Sequence, residues 1–455
     1  MAAHDGKVNA VVATAPEAAR QRARQADAAR ARGESWGPLH GLPMTVKDAY
    51  ETLGMPTTSG AAALRDHRAT RGAEAVARLE GAGAIVFGKT NLPVFAGEWQ
   101  SFNDLHGTTN NPWDLARTPG GSSGGSAASL AAGFTPLELG SDVGGSIRIP
   151  AHFCGVVGHK ATHGIIPLRG HIPGPPGTLN EPDLAVAGPM ARSARDCALA
   201  LRTLAGPRPE DAAAWTLSLP EPARKPLSEW RVAVWLDDPH CPVEHDVRGA
   251  LEGAIEALVA AGLRPESVVP FRLQDHLDTY VLLLAALIGS GLPPKVRRRV
   301  RALQPALSLY WKMKPAATPL PRYLEGVFQS HRQWLTANEA RHRLTAEVAR
   351  FFEDVDVLLL PSAPWTAPPH AHEGEILLRH IEVPSGRRPY VDHLPWIALA
   401  TLTGAPATSV PVGTTDAGLP VGLQVMGARH RDLTCLAFAE EVERVKGPLG
   451  RPPGF

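Results

Sequence analysis

Two glycine-rich turns lie close together in residues 118–150, and they constrain this chain more than any other feature. The stretch reads TPGGSSGGSAASLAAGFTPLELGSDVGGSIRIP, with a small-residue segment that favours a closely packed helix and the apolar run PLELG, which favours a strand. Glycine is used where the backbone bends sharply or comes close to another group, because it lacks a Cβ and tolerates positive φ. Such turns leave N–H groups free to face a ligand, here beside serine hydroxyls. They indicate acyl transfer, in which serine attacks a carbonyl and amides hold the oxygen that becomes negative.

Two other interpretations of this stretch are less favoured. A Gly/Ser-rich run is typical of a flexible linker, but this run continues into the apolar residues Phe153, Cys154, Val156 and Val157. A phosphate loop of the Walker type needs Gly-Lys-Ser/Thr, and no lysine follows either glycine pair. We therefore expect a catalytic turn.

Length and charge limit the classes of partner. The 455 residues suffice for a large core in one domain or two. The 46 Lys and Arg nearly cancel the 45 Asp and Glu, so we expect a small neutral or mildly polar ligand and neither nucleic acid nor a membrane. Four scattered cysteines without a Cys-x-x-Cys pair favour a reducing compartment. With no secretory-signal pattern and no membrane-length apolar run in the sequence, we expect a cytoplasmic protein.

Helix and strand patterns alternate along the chain, which favours an α/β fold. Helices are predicted at 15–32, 72–82, 246–262, over most of 276–353 and at 432–445. Strands are predicted at 42–47, 84–90, 231–236, 267–271, 356–362, 407–413 and 421–427. The segments 170–184 and 205–230 are rich in Pro or Gly and are predicted to be a rigid loop over the site and a connection. The basic run at 295–301 is interpreted as a solvated helix face.

Lys47 stands at the end of a predicted buried strand. A lysine in such a place usually reaches solvent with its ammonium group. If the group is buried, its charged form is disfavoured and it can act as a base near neutral pH.

Three arrangements compete for the chemistry. Residues 120–124 match the Gly-x-Ser-x-Gly elbow of α/β-hydrolases, but the preceding residues 114–119 do not make the strand that this elbow requires. His370, His372 and Glu373 offer metal ligands, but they lie in a Pro-rich run without a second ligand pair, so we expect no metal and no cofactor. The third arrangement, which we favour, combines two serines with a desolvated lysine that serves as their base.

The third arrangement coincides with a family resemblance. The blocks GPLHGLPMTVKD, GTTNNPWDLARTPGGSSGGSAASLAAG, GSDVGGSIRIPAHFCGVVGHKAT and LPVGLQVMG resemble the signature blocks of the amidase signature family of serine hydrolases, in the family's order and spacing. The match runs from about residue 20 to the C-terminal helix. Several long blocks in one order are more specific than a short pattern. The sequence departs from the family at residues 160–164, where KATHG replaces the usual Lys-Pro-Thr-Tyr-Gly.

The resemblance implies a role for each residue of the two turns. Ser146 would be the nucleophile and Lys47 the base, and Ser122, which in the family follows a cis peptide bond, would carry the proton between them. The remaining site residues are the oxyanion-hole amides of Val143, Gly144, Gly145 and Ser146, the bracing pair Asp142 and Arg148, and the hydroxyl of Ser123.

The resemblance also implies the architecture. We expect one amidase signature domain over 1–455, of α/β class, with a central mixed β-sheet covered by helices on both sides. Residues 1–204 would hold the catalytic blocks, 205–350 a variable, mostly helical region of the substrate pocket, and 351–455 the rest of the sheet. Pocket walls are expected from 99–105, 165–179 and 276–330, with Trp99, Phe102, Ile172 and Leu179 as apolar candidates, for each of which core packing is an equal alternative. A homodimer is implied at the level of the family.

The implied activity is hydrolysis of carbon–nitrogen amide bonds through a Ser–cis-Ser–Lys triad and an acyl-enzyme. Aryl amides, carbamates and esters are candidate substrates, because the same tetrahedral chemistry serves all of them. The alternative is the glutamine-hydrolysing subunit of a tRNA-dependent amidotransferase, which would pass ammonia to a partner. A non-catalytic binding module is disfavoured, because Lys47, Ser122 and Ser146 are all present.

Overall fold

The fold is described from a computed structural model that covers residues 1, 3–172, 175–313 and 320–455. Pro173 and Gly174 of the predicted loop, and residues 314–319 of the predicted helical region, lie outside the described residues. The described helices are α1 Asp5–Val8, α2 Pro16–Ala31, α3 Glu74–Gly81, α4 Gly124–Ala131, α5 Arg148–Cys154, α6 Ala194–Leu204, α7 His245–Ala260, α8 Leu273–Ser290, α9 Pro294–Met313, α10 Leu320–Phe328, α11 His331–Asp354, α12 Pro395–Leu402 and α13 Asp432–Lys446. None of the helices in this part of the chain is long and apolar enough to cross a membrane.

Fifteen strands accompany these helices in the described residues. They are β1 Val11–Thr14, β2 Pro43–Lys47, β3 Ile85–Thr90, β4 Phe102–Asn103, β5 Gly107–Thr108, β6 Leu137–Asp142, β7 Val157–Lys160, β8 Val186–Ala191, β9 Val232–Val234, β10 Glu266–Ser267, β11 Val357–Pro361, β12 His380–Val383, β13 Gly386–Pro389, β14 Ala407–Thr414 and β15 Pro420–Met426. Eleven of them form one sheet in the order β1-β3-β2-β6-β8-β7-β14-β15-β11-β9-β10.

The sheet is mixed, as the resemblance implied. Strand β2 runs parallel to β3 and β6, and β9 runs parallel to β10 and β11. The other neighbours in the sheet are antiparallel. Helices α4 and α5 pack on the sheet together, while α3, α6, α7 and α13 form a second group of helices against it. The predicted α/β class with a central mixed sheet between helices is confirmed.

Most predicted elements are confirmed, including the helical region, which forms α8 to α11, and the basic run, which is exposed on α9. The strand predicted at 267–271 is wrong beyond its first residue, because β10 ends at Ser267. Pro270 has no N–H to donate to a ladder, and helix α8 begins three residues later.

Two parallel neighbours bring the ends of the signature blocks together. Strands β2 and β6 pair in register, with Thr45 opposite Glu138 and Val46 opposite Leu139. Because parallel strands end at the same edge of a sheet, Lys47 and the end of β6 meet there. Helix α4 starts at Gly124, within the GGSSGG turn, and all eight of its residues are buried. Its small side chains let it lie close to the sheet, which places the turn at the same edge.

Candidate active site

Lys47 is fully buried at the end of β2, so it does not reach solvent. Its Nζ lies 2.7 Å from Ser122 Oγ, 3.0 Å from Ser123 Oγ and 3.0 Å from Ser141 Oγ. Burial lowers the pKa of Lys47 from 10.5 to about 7, and the opposing attraction of Asp142 is the smaller effect. A lysine in this environment is present as the neutral amine in a large fraction of molecules near pH 7, as a base requires.

The two glycine-rich turns lie against each other. The Ser123 N–H donates to the Ser146 carbonyl at 3.1 Å, and the Gly121–Ser122 peptide bond is cis. Ser146 is 5% exposed. Gly145 has φ +89°, which favours glycine, and a Cβ on Gly121 would lie 2.7 Å from the Glu98 carbonyl oxygen. The structure thus brings the three residues of the expected triad to one place.

A buried ion pair braces the turn that carries Ser146. Arg148 contacts both oxygens of Asp142, with Nη2 2.9 Å from Oδ1 and Nε 3.1 Å from Oδ2. The Asp142 carboxylate also accepts the N–H groups of Gly145 and Ile147, each at 3.0 Å. Asp142 and Arg148 are fully buried. Arg148 lowers the pKa of Asp142, against the effect of burial, which raises it. The turn around Ser146 is therefore held by charge-assisted hydrogen bonds.

Three of the four expected oxyanion-hole amides are available. In the described part of the chain, the hydrogen bonds outside helices and strands include none donated by the amides of Val143, Gly144 or Ser146. The Gly145 N–H differs, because it donates to Asp142 Oδ1. A donor that already serves a buried carboxylate is less available to an oxyanion, so we assign the proposed oxyanion hole to the other three amides.

Two aromatic side chains orient the 143–146 turn through contacts that were not predicted from the sequence. Tyr280 on α8 donates from its hydroxyl to the Val143 carbonyl at 2.6 Å, and Trp99 donates from Nε1 to the Gly144 carbonyl at 2.7 Å. The C=O and N–H of a trans peptide point in opposite directions, so a bond to the Val143 carbonyl also sets the direction of the Gly144 N–H. Trp99 was expected only as a pocket wall. No pattern in the sequence marks Tyr280 as a partner of a turn that lies more than a hundred residues earlier in the chain.

One further contact of Lys47 and the residue behind it were missed. Ser141, the next-to-last residue of β6, lies in the GSD block but was assigned no role. Its Oγ is 2.9 Å from Nε2 of His171, which belongs to the segment predicted as a loop over the site. The position of Ser141 next to Asp142 in a signature block was a usable signal, whereas His171 had none.

The other residues expected in the pocket differ in their contacts and in their exposure to solvent. Phe102 stacks on His372 with ring centroids 3.8 Å apart, Ile172 is buried, and Leu179 is 66% exposed. Among the described residues, no group of three His, Cys, Asp or Glu side chains is arranged to hold a metal ion, and this includes the His370–Glu373 run.

The whole chain is similar to several known proteins. The profile of the family described as Amidase matches residues 1–436. A Glutamyl-tRNA(Gln) amidotransferase subunit of Anaeromyxobacter sp. (strain K) is 34% identical, and the match covers 99% of this chain and 92% of that protein. A solved bacterial aryl acylamidase of the amidase signature enzymes is similar with TM-score 0.78 and 26% identity, over 98% of this chain and 91% of that one. A chain from an inhibitor-bound complex that reveals the origins of an s-triazine catabolic enzyme is similar with TM-score 0.77 and 30% identity, over 99% and 93%.

Proposed function

The chain belongs to the amidase signature family of carbon–nitrogen amide hydrolases, and from this premise we propose that it is a free-standing amidase whose base is Lys47 and whose nucleophile is Ser146. The observation that carries the proposal is the burial of Lys47 against the hydroxyl of Ser122 at 2.7 Å.

In the proposed cycle, neutral Lys47 takes a proton from Ser122 as Ser122 takes one from Ser146, and the Ser146 oxygen attacks the substrate carbonyl. The amides of Val143, Gly144 and Ser146 stabilise the tetrahedral oxyanion. The proton then passes back through Ser122 to the leaving nitrogen, and the amine departs. Water, activated by the same relay, releases the acyl group from Ser146.

We propose a neutral acyl group for the substrate. Two buried arginines near the site already serve carboxylates: Arg148 pairs with Asp142, and Arg379 Nη1 lies 2.8 Å from Glu98 Oε2, next to Trp99. An arginine that is paired in this way is a poor partner for the carboxylate of an amino-acid substrate. Trp99 adds an aromatic surface beside the Gly144 carbonyl, which suits aryl amides, with carbamates and esters as further candidates. The reaction would need no partner besides this small molecule, and we assign it to a homodimer of this chain in the cytoplasm.

A second candidate is a glutamine-hydrolysing subunit that passes ammonia to a partner protein. The relatives that are named as Glutamyl-tRNA(Gln) amidotransferase subunits support it about as well as the aryl acylamidase supports the first candidate.

The test is amine or ammonia release by the purified protein alone, from a matched aryl amide, aryl carbamate, primary aliphatic amide and glutamine, with Ser146→Ala as the control. Turnover of one of the first three, lost in Ser146→Ala, is the expected result. Glutaminase activity that appears only with a co-purifying partner would overturn the first candidate in favour of the second, and turnover that persists in Ser146→Ala would refute both.

A further inference from the structure

The hydroxyl groups around Lys47 determine where its lone pair points, because each hydrogen bond has a donor and an acceptor. A neutral lysine amine has two N–H donors and one lone pair. Three hydroxyl oxygens lie within hydrogen-bond distance of it, those of Ser122, Ser123 and Ser141. For Lys47 to take a proton from Ser122, its lone pair must face Ser122. Its two N–H groups must then go to Ser123 and Ser141, and both of these hydroxyls must accept.

Ser123 meets this condition through its own backbone contacts. Its hydroxyl donates to the Ser141 carbonyl at 3.3 Å and accepts the Ser141 N–H at 3.4 Å. With its one proton engaged there, Ser123 can only accept from Lys47.

Ser141 meets the condition only if its own proton has an acceptor elsewhere. The Nε2 of His171 lies 2.9 Å from Ser141 Oγ. When Nε2 is the unprotonated nitrogen of the ring, it accepts from Ser141, and Ser141 then accepts from Lys47. In the other tautomer Nε2–H donates to Ser141, whose proton is then free to turn to the lone pair of Lys47, and the base is blocked.

We propose that His171 is a positioning residue that holds the proton of Ser141 and so keeps the lone pair of Lys47 directed at Ser122. The proposal rests on the proposed function, because it explains how Lys47 acts as a base. It concerns a side chain that no signature block contains.

The surroundings of His171 keep its ring neutral, and the proposed role places the ring proton on Nδ1, a buried atom for which the described residues supply no acceptor. Burial lowers its pKa to about 3, with Lys47 as the second cause, so the imidazole stays uncharged across the working pH range. Other titratable groups face the network from neighbouring segments: Tyr50, whose ring lies edge-on at 4.8 Å from the imidazole, and Asp142, which acts on Lys47. Glu51, next in the chain after Tyr50, is 2.9 Å from His67.

Tyr50 is the competing acceptor for the proton of Ser141. Its hydroxyl lies close enough to Ser141 to affect the pKa of the phenol, and it donates its own proton to the Gly140 carbonyl at 2.7 Å. The test therefore includes Tyr50→Phe beside the His171 variants.

The experiment measures activation of Ser146 directly, with an alkyl fluorophosphonate followed by intact mass, so that no natural substrate is needed. The Ser146 oxygen forms a bond to phosphorus, fluoride leaves with its electron pair, and the serine proton passes to Lys47. Rate constants are compared from pH 6 to 9 for the wild type and for these variants: His171→Phe, His171→Gln, Ser141→Ala, His171→Phe/Ser141→Ala, Tyr50→Phe and the control Ser146→Ala. Thermal melting checks that each variant is folded.

Phenylalanine keeps a ring beside Tyr50 but removes the acceptor, so we expect labelling of His171→Phe to slow by roughly tenfold, the effect of one hydrogen bond on a rate. Glutamine can accept through its amide oxygen, so His171→Gln is expected to stay within about threefold of the wild type. In His171→Phe the Ser141 hydroxyl is expected to donate its proton to the Lys47 amine instead. This hydrogen bond stabilises the neutral amine, so the labelling rate is expected to rise at a lower pH than in the wild type. The double variant is expected to label no more slowly than Ser141→Ala alone, because both changes remove one pathway.

The outcomes separate the two proposals. If the probe does not label the wild type, or labels Ser146→Ala as fast as the wild type, the proposed function is overturned and this inference with it. Labelling of the wild type with an equal rate in a folded His171→Phe overturns the inference alone. The inference is also overturned if the fold-loss of labelling rate in the double variant equals the product of the two single fold-losses. It is overturned as well if Tyr50→Phe slows labelling and His171→Phe does not.

Discussion

Replacing Lys47 with methionine tests the burial of the base through stability as well as activity. A lowering of the pKa of Lys47 from 10.5 to about 7 corresponds to about 5 kcal/mol, at about 1.4 kcal/mol for each pH unit, as the free-energy cost of burying this group at low pH. The three hydroxyls that lose Lys47 as a partner offset this by about 1 kcal/mol each. Lys47→Met is therefore expected to be more stable than the wild type by about 2 kcal/mol below pH 7.

The pH dependence has a definite sign. Between about pH 7 and 10.5 the unfolded chain holds a proton on Lys47 that the folded chain has lost, so the stability of the wild type rises with pH in that window. Methionine has no proton to lose. From pH 7 to 9 the difference between variant and wild type is therefore expected to shift by about 3 kcal/mol in favour of the wild type.

The assay is urea unfolding of both proteins at pH 6, 7 and 9, and Ser146-dependent amide hydrolysis of each. Lys446, which is exposed on α13, supplies the matched control Lys446→Met, in which a surface lysine is replaced in the same way. Hydrolysis by Lys47→Met is expected to fall by about 10²-fold or more, because the base is lost. A stability difference that does not change with pH, or hydrolysis at the wild-type rate, would refute the reasoning.

One pH profile and two substitutions test neighbouring parts of the site. Because burial lowers the pKa of Lys47 to about 7, kcat/KM of the wild type is expected to rise by roughly tenfold from pH 6 to 8, and a flat profile would contradict a lysine base. Tyr280→Phe removes the hydrogen bond to the Val143 carbonyl, so kcat should fall by about three- to tenfold with little change in KM; a change in KM alone would indicate a role in substrate binding instead. Arg148→Met leaves the Asp142 carboxylate buried without its cation, and chemical unfolding should show a loss of about 3–5 kcal/mol, which an unchanged midpoint would exclude.

The comparison between sequence and structure shows where local patterns are sufficient. The alternation of apolar residues predicted the strand that ends at Lys47. The run of small residues predicted helix α4, because small side chains allow a helix to pack closely. The strand predicted at 267–271 shows the opposite case, since only Ser267 of this run lies in β10 and Pro270 cannot donate to a ladder. Strands β7 and β8 were not predicted, because in the middle of the sheet their glycines and proline hide the strand pattern.

The sequence by itself predicted which residues carry the proposed chemistry, because the two glycine turns and the lysine at the end of a strand are features of a few adjacent residues. The sequence left open whether Lys47 is buried or reaches solvent. The tertiary structure buries it, because β2 and β6 pair side by side and helix α4 packs against them. Only the fold shows that Asp142 occupies the Gly145 amide, that Tyr280 orients the Val143 carbonyl, and that His171 reaches Ser141. The last two contacts join segments far apart in the chain, and the direction of a hydrogen bond depends on all the partners of a group at once. No local pattern of residues contains that information.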